Sequence, residues 1–278
     1  MKRIRDYGVI VGQMERGPLN ALTDVEGATV GHCTLAEGDV QTGVTAILPH
    51  KGDMFREKLL AACHVINGFG KSVGLVQIAE MGTLETPILL TNTFAVGAAS
   101  EALVRHMLAD NPDIGRETGT VNPVVCECND GWLNDIRRFS VGGEHVLSAL
   151  SSAASDFALG AVGAGRGMSC YQLKGGIGTA SRRFSAEGKT YTLGALVLSN
   201  FGLLGDLTVD GRRVGRTIEA TDPPMDDQGS VITVLATALP LTERQLGRVA
   251  RRASVGLGRL RGGAAGDGDG DLHRDRAL

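Results

Sequence analysis

One serine in the sequence stands where it could become a nucleophile. Ser230 follows Gly229 at the end of the acidic, turn-like segment PPMDDQG and begins the β-branched run VITVLAT. If the Gly229–Ser230 bond were cut, Ser230 would carry a free α-amino group, whose ordinary pKa of about 7.7–8 suits a general base at neutral pH. That amine could take the proton of the serine hydroxyl, which is how N-terminal nucleophiles are activated. Because Gly229 has no Cβ, it would leave the attacked carbonyl uncovered.

An ordinary Gly–Ser turn that enters a strand is the alternative, and the local residues alone favour it. Other hydrolase patterns are weak, because the six histidines do not pair at ligand spacing. A Ser-His-Asp triad could be assembled from many of the residues present, so the composition is no evidence for one.

Nucleotide and metal sites find little support in the sequence. The glycine runs at 163–167 and 175–178 lack the G-x-G-x-x-G order, and strand-like residues follow both, so no helix N-terminus is expected to hold a phosphate. Cys126 and Cys128 lack the C-x-x-C spacing of a zinc site, and on a strand they would share one buried face. The Asp–Gly alternation at 267–271 lacks the terminal Glu of a calcium loop. We therefore expect no metal and no cofactor.

The composition is that of a globular protein with many tight turns. Glycine accounts for 40 of the 278 residues, roughly twice its usual share, whereas apolar and charged residues are close to average. The formal net charge of −3 gives no strong field for nucleic acid. No run of about 18 apolar residues occurs, so no membrane span is expected, and the N-terminus lacks the apolar stretch of a signal peptide. These features predict a cytoplasmic protein that binds neither nucleic acid nor membrane.

Mixed strands and helices must position the candidate residues. Apolar runs predict strands at 44–49, 74–79, 86–91, 123–128, 168–173, 191–201 and 230–237. Helices are predicted at 98–110, 143–154 and 241–260, the last with a capping box from Thr242 to Gln245. Asp210-Gly211 indicates a tight hairpin turn. Because strands and helices do not alternate regularly, a layered α+β fold is favoured.

Five longer segments, in order over roughly residues 17 to 260, carry a family resemblance. They are GPLNALTDVEGATVGHCTL, PVVCECNDGWLNDIRRFSVGGEHVLSAL, GAGRGMSCYQLKGGIGTASR, LGALVLSNFG and GSVITVLATALPLTERQLGRVARRASVGLGR. These segments are similar to the P1/DmpA family of aminopeptidases, peptidase family S58. That family includes L-aminopeptidase/D-amidase-esterases and β-peptidyl aminopeptidases.

The resemblance implies a four-layer αββα sandwich, like that of N-terminal nucleophile hydrolases, in a single DmpA-like domain over residues 1–261. Family members are made as one chain and cut themselves before a serine, and the matching bond here is Gly229–Ser230. The α-chain part would be 1–229, and 230–261 would start the β-chain part. Ser230 would then be the nucleophile, and Asn200 matches the residue whose amide donates to the oxyanion.

The same resemblance indicates substrate contacts. Trp132 stands where some members have a tyrosine, and because an indole N–H can only donate, we expect Trp132 to line the substrate pocket. Glu127 and Asp130 lie in the same segment and could bind the free amine of a substrate. Members continue past this region with a Gly-Ser-Gly-acid motif, and Asp271, in GDGD, is expected to stand in for its acid. The Gly/Asp/Arg-rich tail 262–278 is expected to be disordered or a truncated end.

The function expected from the resemblance is that of a self-processing serine aminopeptidase acting on small peptides, amides or esters. Its αβ units would form a homo-oligomer. The alternative is an unprocessed, inactive, C-terminally truncated member that serves only as a structural or interaction module.

Overall fold

The fold is built on two β-sheets that face each other across an apolar layer. A computed structural model describes residues 2–218 and 229–260. In spatial order, the strands of the first sheet are β1 (Thr29–Glu37), β2 (Val40–Leu48), β5 (Ile88–Asn92) and β6 (Val124–Cys128). Those of the second sheet are, in spatial order, β9 (Gly176–Ala186), β10 (Lys189–Asn200) and β11 (Ser230–Thr237). All neighbours are antiparallel except β5 and β6.

Helices and short ribbons complete the described part of the chain. The helices are α1 (Leu75–Met81), α2 (Val96–Asp110), α3 (Gly143–Ser151) and α4 (Glu243–Gly258). The two-residue strands are β3 (Leu59–Leu60), β4 (Thr83–Leu84), β7 (Ser169–Cys170) and β8 (Leu173–Lys174), which pair as β3–β4 and β7–β8. None of the described helices is long and apolar enough to cross a bilayer.

Strand alternation divides the apolar side chains between two cores. Toward the second sheet, β6 points Val124, Cys126 and Cys128, which meet Leu196 and Leu198 of β10. Toward the helices it points Val125, which packs with residues of α2 and α3. Both cysteines are buried on one face, so that prediction is confirmed.

Helix α3 lies very close to β1, and one glycine allows this approach. An added Cβ at Gly31 would overlap the carbonyl oxygen of Ala149 and come within 2.7 Å of Ala153 N. Any other residue at this position would push the helix layer away from the first sheet.

Most predicted elements are found, including the capping box of α4, in which Gln245 N donates to Thr242 Oγ1 at 3.3 Å. The strand predicted at 74–79 is wrong, because these residues form α1. Gly74 and Gly82 bracket this helix in left-handed conformations, and the Gly82 N–H bonds Ile78 O. A short apolar run cannot distinguish a strand from a buried helix by its period.

Two other expected strands are shorter than predicted. Tyr171 and Gln172 both have positive φ angles, of 52° and 57°, and they divide 168–173 into β7 and β8. The Asp210-Gly211 turn is present with φ angles of 49° and 77°, as in a type I′ turn. Only one isolated β-bridge, between Val209 and Arg212, flanks this turn, and it does not extend into longer strands.

Candidate active site

Ser230 and Asn200 lie side by side at one end of the second sheet. Ser230 is the first residue of β11 and is in register with Asn200, the last residue of β10. Directly opposed residues of an antiparallel pair place their side chains on the same face. Here that face is the inner one, since Ile232 and Val234 on the same side of β11 pack into the core between the sheets. The Asn200 amide donates to Ser230 Oγ at 3.3 Å.

Two backbone groups fix the Asn200 side chain. The Ser169 N–H donates to Asn200 Oδ1 at 2.9 Å, and Asn200 Nδ2 donates to the Asn129 carbonyl at 2.8 Å. One partner can only donate and the other can only accept, so the oxygen and nitrogen of the amide cannot exchange places. The second N–H of Nδ2 is thereby directed at Ser230. A fixed donor next to a nucleophile is the arrangement that stabilises an oxyanion.

Gly229 occupies a position that has no space for a side chain. A Cβ built there would overlap the backbone of Phe201 and come within 2.8 Å of Asn200 O. The Cα of Gly229 therefore lies against the residue that follows β10, the strand that supplies Asn200.

The Cys128 thiol lies next to the Ser230 hydroxyl and does not compete with it as a nucleophile. Its side chain is fully buried, and burial raises the pKa of the thiol to about 12, although the neighbouring Ser230 hydroxyl acts in the opposite direction. The thiol is neutral at physiological pH, so it offers neither a base nor a thiolate nucleophile.

Asp130 belongs to a buried polar cluster, which we call the Asp130 cluster and define as Thr42, Asn92, Asp130 and Asn134. Asn134 Nδ2 donates to Asp130 Oδ1 at 3.0 Å, and Asn92 Nδ2 donates to Thr42 Oγ1 at 2.8 Å. Asp130 is 0% exposed, and its Oδ2 has no hydrogen-bond partner among the described residues. Burial raises its pKa, while the polar groups of Thr42, Asn134 and Asn92 lower it in part.

Glu127 is buried within β6, whereas Trp132 is exposed in the loop that follows this strand. Glu127 shares the strand face of Val125, opposite to the face on which Cys128 meets Ser230. Its carboxylate accepts a bond from the Lys71 N–H at 2.9 Å and another from the Thr93 hydroxyl. Trp132 is 55% exposed in the loop after β6. The structure thus joins Ser230 with Asn200 and does not bring Asp130 or Glu127 into contact with them.

Some of the predicted features lie outside the residues that the structure describes. Asp271 and the tail 262–278 lie outside them. No group of three metal-ligating side chains occurs within 2–218 and 229–260. Sequence reasoning missed the contributions of Ser169 and Asn129, because both act through backbone atoms and their side chains carried no signal.

Comparison with solved structures shows which class of fold this chain has. The chain superposes on the L-aminopeptidase D-Ala-esterase/amidase of Ochrobactrum anthropi with a TM-score of 0.84 and 39% identity, over 95% of this chain and 75% of that one. That structure is described as a prototype for the serine aminopeptidases and a variant of the N-terminal nucleophile hydrolase fold. A protein of Pyrococcus horikoshii matches with a TM-score of 0.90 and 50% identity, over 95% of this chain and 76% of that one. The predicted α+β fold of the αββα, DmpA-like type is confirmed.

The family follows from the sequence matches. The model of peptidase family S58 matches residues 20–273. A β-peptidyl aminopeptidase, BapA, of Sphingosinicella microcystinivorans is 39% identical over 295 aligned positions, which cover 97% of this chain and 73% of the relative. The chain belongs to peptidase family S58, and the predicted resemblance is confirmed.

Proposed function

We propose that this chain cleaves its own Gly229–Ser230 bond and then uses Ser230 as an N-terminal nucleophile, releasing N-terminal residues from small peptides, amides or esters. The observation that carries the proposal is the Ser230–Asn200 pair. A hydroxyl at the first position of an inner strand faces a side-chain amide donor that two backbone groups hold in place.

Self-cleavage would begin when Ser230 Oγ attacks the carbonyl carbon of Gly229. The C–N bond breaks, an ester forms between Gly229 and the serine oxygen, and the serine nitrogen becomes a free amine. Water then hydrolyses the ester, which leaves a carboxylate on Gly229 and restores the hydroxyl. The absence of a Cβ at Gly229 supports this step, because the carbonyl has no side chain beside it.

In peptide hydrolysis, the same hydroxyl attacks the substrate carbonyl and the free α-amine of Ser230 takes its proton. With an ordinary pKa of about 7.7–8, part of this amine is neutral near neutral pH and can act as a base. The proton then passes to the leaving amine, and water releases the acyl group from the serine. Asn200 Nδ2 donates to the oxyanion in both halves of the reaction.

Substrate contacts are part of the same proposal. The exposed indole of Trp132 would line the pocket beside the end of β6. The acids Glu127 and Asp130 are the groups in this segment that could attract the ammonium of a substrate, which has a charge opposite to theirs. We further propose a cytoplasmic homo-oligomer of αβ units.

Intact-mass spectrometry under denaturing conditions tests self-cleavage. The wild-type chain should give two fragments, one ending at Gly229 and one beginning at Ser230, whereas Ser230→Ala should remain one chain. Ser199→Ala is the matched control, because Ser199 is paired with Val231, next to Ser230, and its hydroxyl bonds Gly176 O at 3.2 Å. Ser199→Ala should cleave as the wild type does.

Activity is tested with p-nitroanilides of small amino acids. Turnover that is lost in Ser230→Ala and kept in Ser199→Ala supports the proposal. An intact wild-type chain after long incubation, without turnover, would support the unprocessed structural module instead.

A further inference from the structure

A lysine lies behind the Asn200 amide, on the side away from the serine. The Lys174 ammonium donates to three backbone carbonyls, those of Met168 at 2.6 Å, Gly175 at 2.9 Å and Gly165 at 3.1 Å. All three donors of the ammonium are therefore used on the main chain. Lys174 is an exposed residue as a whole, but these three hydrogen bonds are part-buried.

The shortest of these bonds, to Met168 O, is connected to the candidate nucleophile through two further hydrogen bonds. Met168 O belongs to the same peptide group as the Ser169 N–H, which donates to Asn200 Oδ1 at 2.9 Å. Asn200 Nδ2 in turn donates to Ser230 Oγ at 3.3 Å. The hydrogen bonds thus run in one direction. They lead from the Lys174 ammonium through the Met168–Ser169 peptide and the Asn200 amide to the Ser230 hydroxyl, which accepts the last bond. A charged donor at the start of such a line polarises each amide and strengthens the next N–H as a donor.

The surroundings of Lys174, as far as the structure describes them, hold a second cation and no carboxylate partner. Among the described residues no carboxylate forms an ion pair with Lys174. Burial lowers the pKa of Lys174 to about 8, and the positive charge of Arg166 adds to this effect. Arg166 is itself held by Gln41, whose Oε1 accepts a bond from Arg166 Nε at 2.6 Å. Within 2–218 and 229–260, the ammonium therefore acts on the backbone without an ion-pair partner.

An open surface pocket borders the lysine and gives small molecules access to it. Its volume is about 360 Å³, and it is lined by Gln41, Leu133, Ala161, Arg166 and Lys174. A small amine could enter this space if the lysine side chain were removed.

We propose that Lys174 is a positioning residue for the reaction, whose ammonium holds and polarises the Met168–Ser169 peptide and thereby fixes Asn200 as the oxyanion donor. This inference rests on the proposed function of Ser230 and Asn200. It assigns Lys174 an effect on the rate of the chemical step, because the Asn200 donor is needed most when negative charge develops on the oxyanion.

The first test is kinetic and uses Lys174→Met, which keeps an unbranched stem and removes the charge. Removing a direct oxyanion donor costs about 10²–10³ in kcat, so we expect the indirect effect of Lys174→Met to be roughly tenfold in kcat with little change in KM. Lys174→Arg should keep most of the rate. A Lys174→Met enzyme with kcat within twofold of wild type, or with the loss confined to KM, would overturn the proposal.

Chemical rescue separates positioning from general support of the fold. Lys174→Ala should recover activity when propylammonium is added, because this cation can donate to the three vacated carbonyls from the pocket. Tetramethylammonium has the same charge and no N–H, so it should not rescue. Asn200→Ala should respond to neither cation. Equal effects of both cations, or no rescue in a Lys174→Ala protein whose melting temperature matches wild type, would contradict the inference.

If a lysine variant cleaves itself only slowly, the half-time of self-cleavage replaces kcat as the measured rate, with the same expectation of propylammonium rescue.

The experiments distinguish a failure of the proposed function from a failure of the role of Lys174. Wild type without cleavage, or turnover that survives Ser230→Ala, would reject the role of Ser230, whereas normal wild-type activity with an unaffected Lys174→Met would reject only the role of Lys174.

Discussion

Two polar groups meet at the end of β6, and they are built in opposite ways. At Asn129 the backbone carbonyl holds the Asn200 amide, which keeps one N–H directed at the Ser230 hydroxyl. At the next residue, Asp130 is fully buried in the Asp130 cluster, and its bonded oxygen accepts from another side chain. The Asn200 group ends on the Ser230 hydroxyl. The Asp130 cluster is held by neighbouring side chains and backbone N–H groups, and it leaves Asp130 Oδ2 without a partner among the described residues. A high density of polar residues therefore does not identify the active site. The active site is identified by a hydrogen-bond donor that the backbone fixes and directs at a nucleophile.

The strongest test of this contrast is Asn200→Ala. Loss of one oxyanion donor is expected to lower kcat by about 10²–10³. The folded state should be little affected in comparison, because Asn200 lies at the end of its strand. The measurements are steady-state kinetics on p-nitroanilides and the rate of self-cleavage.

Ser169→Ala is the matched control for Asn200→Ala. Ser169 holds Asn200 through its main-chain N–H, which alanine retains. The control should keep a kcat near that of wild type. An equal loss in both variants would mean that local disruption, and not the lost donor, lowers the rate.

Changes at Asp130 should affect stability and leave kcat unchanged, because Asp130 does not contact the Ser230–Asn200 pair. Asp130→Ala leaves the buried Asn134 amide without its acceptor, which costs about 1–3 kcal/mol of unfolding free energy. Asp130→Asn keeps the shape and an acceptor oxygen, so we expect a change within about 1 kcal/mol, measured by urea denaturation. A large rise in KM for Asp130→Asn with unchanged stability would instead place Asp130 at the substrate's ammonium.

The pH dependence of Asp130 has a definite sign. Burial raises its pKa in the folded state above the unfolded value, so folding favours the protonated acid. The contribution of Asp130 to stability is thus present below the unfolded pKa and is lost as the pH rises through the folded pKa. Asp130→Asn cannot ionise and should not show this loss, which a series of denaturation curves against pH would reveal.

Lys174 should set the alkaline limit of activity. Its pKa is lowered to about 8 by burial and by Arg166, so the ammonium loses its proton as the pH rises through about 8. The free amine of Ser230 must be neutral to act as a base, which gives the opposite, rising limb in the same region. We expect a narrow optimum in the wild type and a loss of up to roughly tenfold above it, as for removal of the charge.

Lys174→Arg keeps its charge at all relevant pH values. Its kcat should therefore stay level on the alkaline side, measured between neutral pH and the onset of alkaline unfolding. An alkaline limb that is the same in wild type and Lys174→Arg would assign the limit to another group.

The sequence predicted more of the sheet than of the site. The apolar runs of β2, β5, β6 and β11 indicated their strands because burial follows the local pattern. Strand β1 was not predicted, since polar residues and a glycine interrupt its nine residues and it depends on pairing with β2. Residues 74–79 became a helix because flanking glycines in left-handed conformations delimit it.

Within the site, the residues around Ser230 indicated that it could act as a nucleophile, but they did not indicate which side chain would assist it. Family resemblance supplied Asn200, and the register of β10 with β11 supplied the physical reason for it. Contacts through backbone atoms, such as those of Ser169 and Asn129 to Asn200, depend on where distant segments meet. No property of their side chains could have indicated them.

A third polar group shows that backbone anchoring alone does not make a site. Asp24 accepts bonds from the N–H groups of Leu19 and Ala21, at 2.9 and 3.0 Å, and from the Ser181 hydroxyl at 2.6 Å. Burial would raise its pKa, but these hydrogen bonds lower it overall. Asp24 thus ties the segment before β1 to β9, and its hydrogen-bond partners are structural groups of these segments.

Asp24→Asn should therefore affect stability and leave kcat unchanged. We expect a loss of about 1 kcal/mol of unfolding free energy at neutral pH, since the charged acceptor becomes a neutral one. Because the folded pKa lies below the unfolded value, the contribution of Asp24 is present above the unfolded pKa and is lost as the pH falls through the folded pKa. The difference between wild type and Asp24→Asn should accordingly shrink in acid. A difference that stays constant with pH would show that packing, and not the charge, sets the contribution, and a fall in kcat would extend the functional site beyond the Ser230–Asn200 pair.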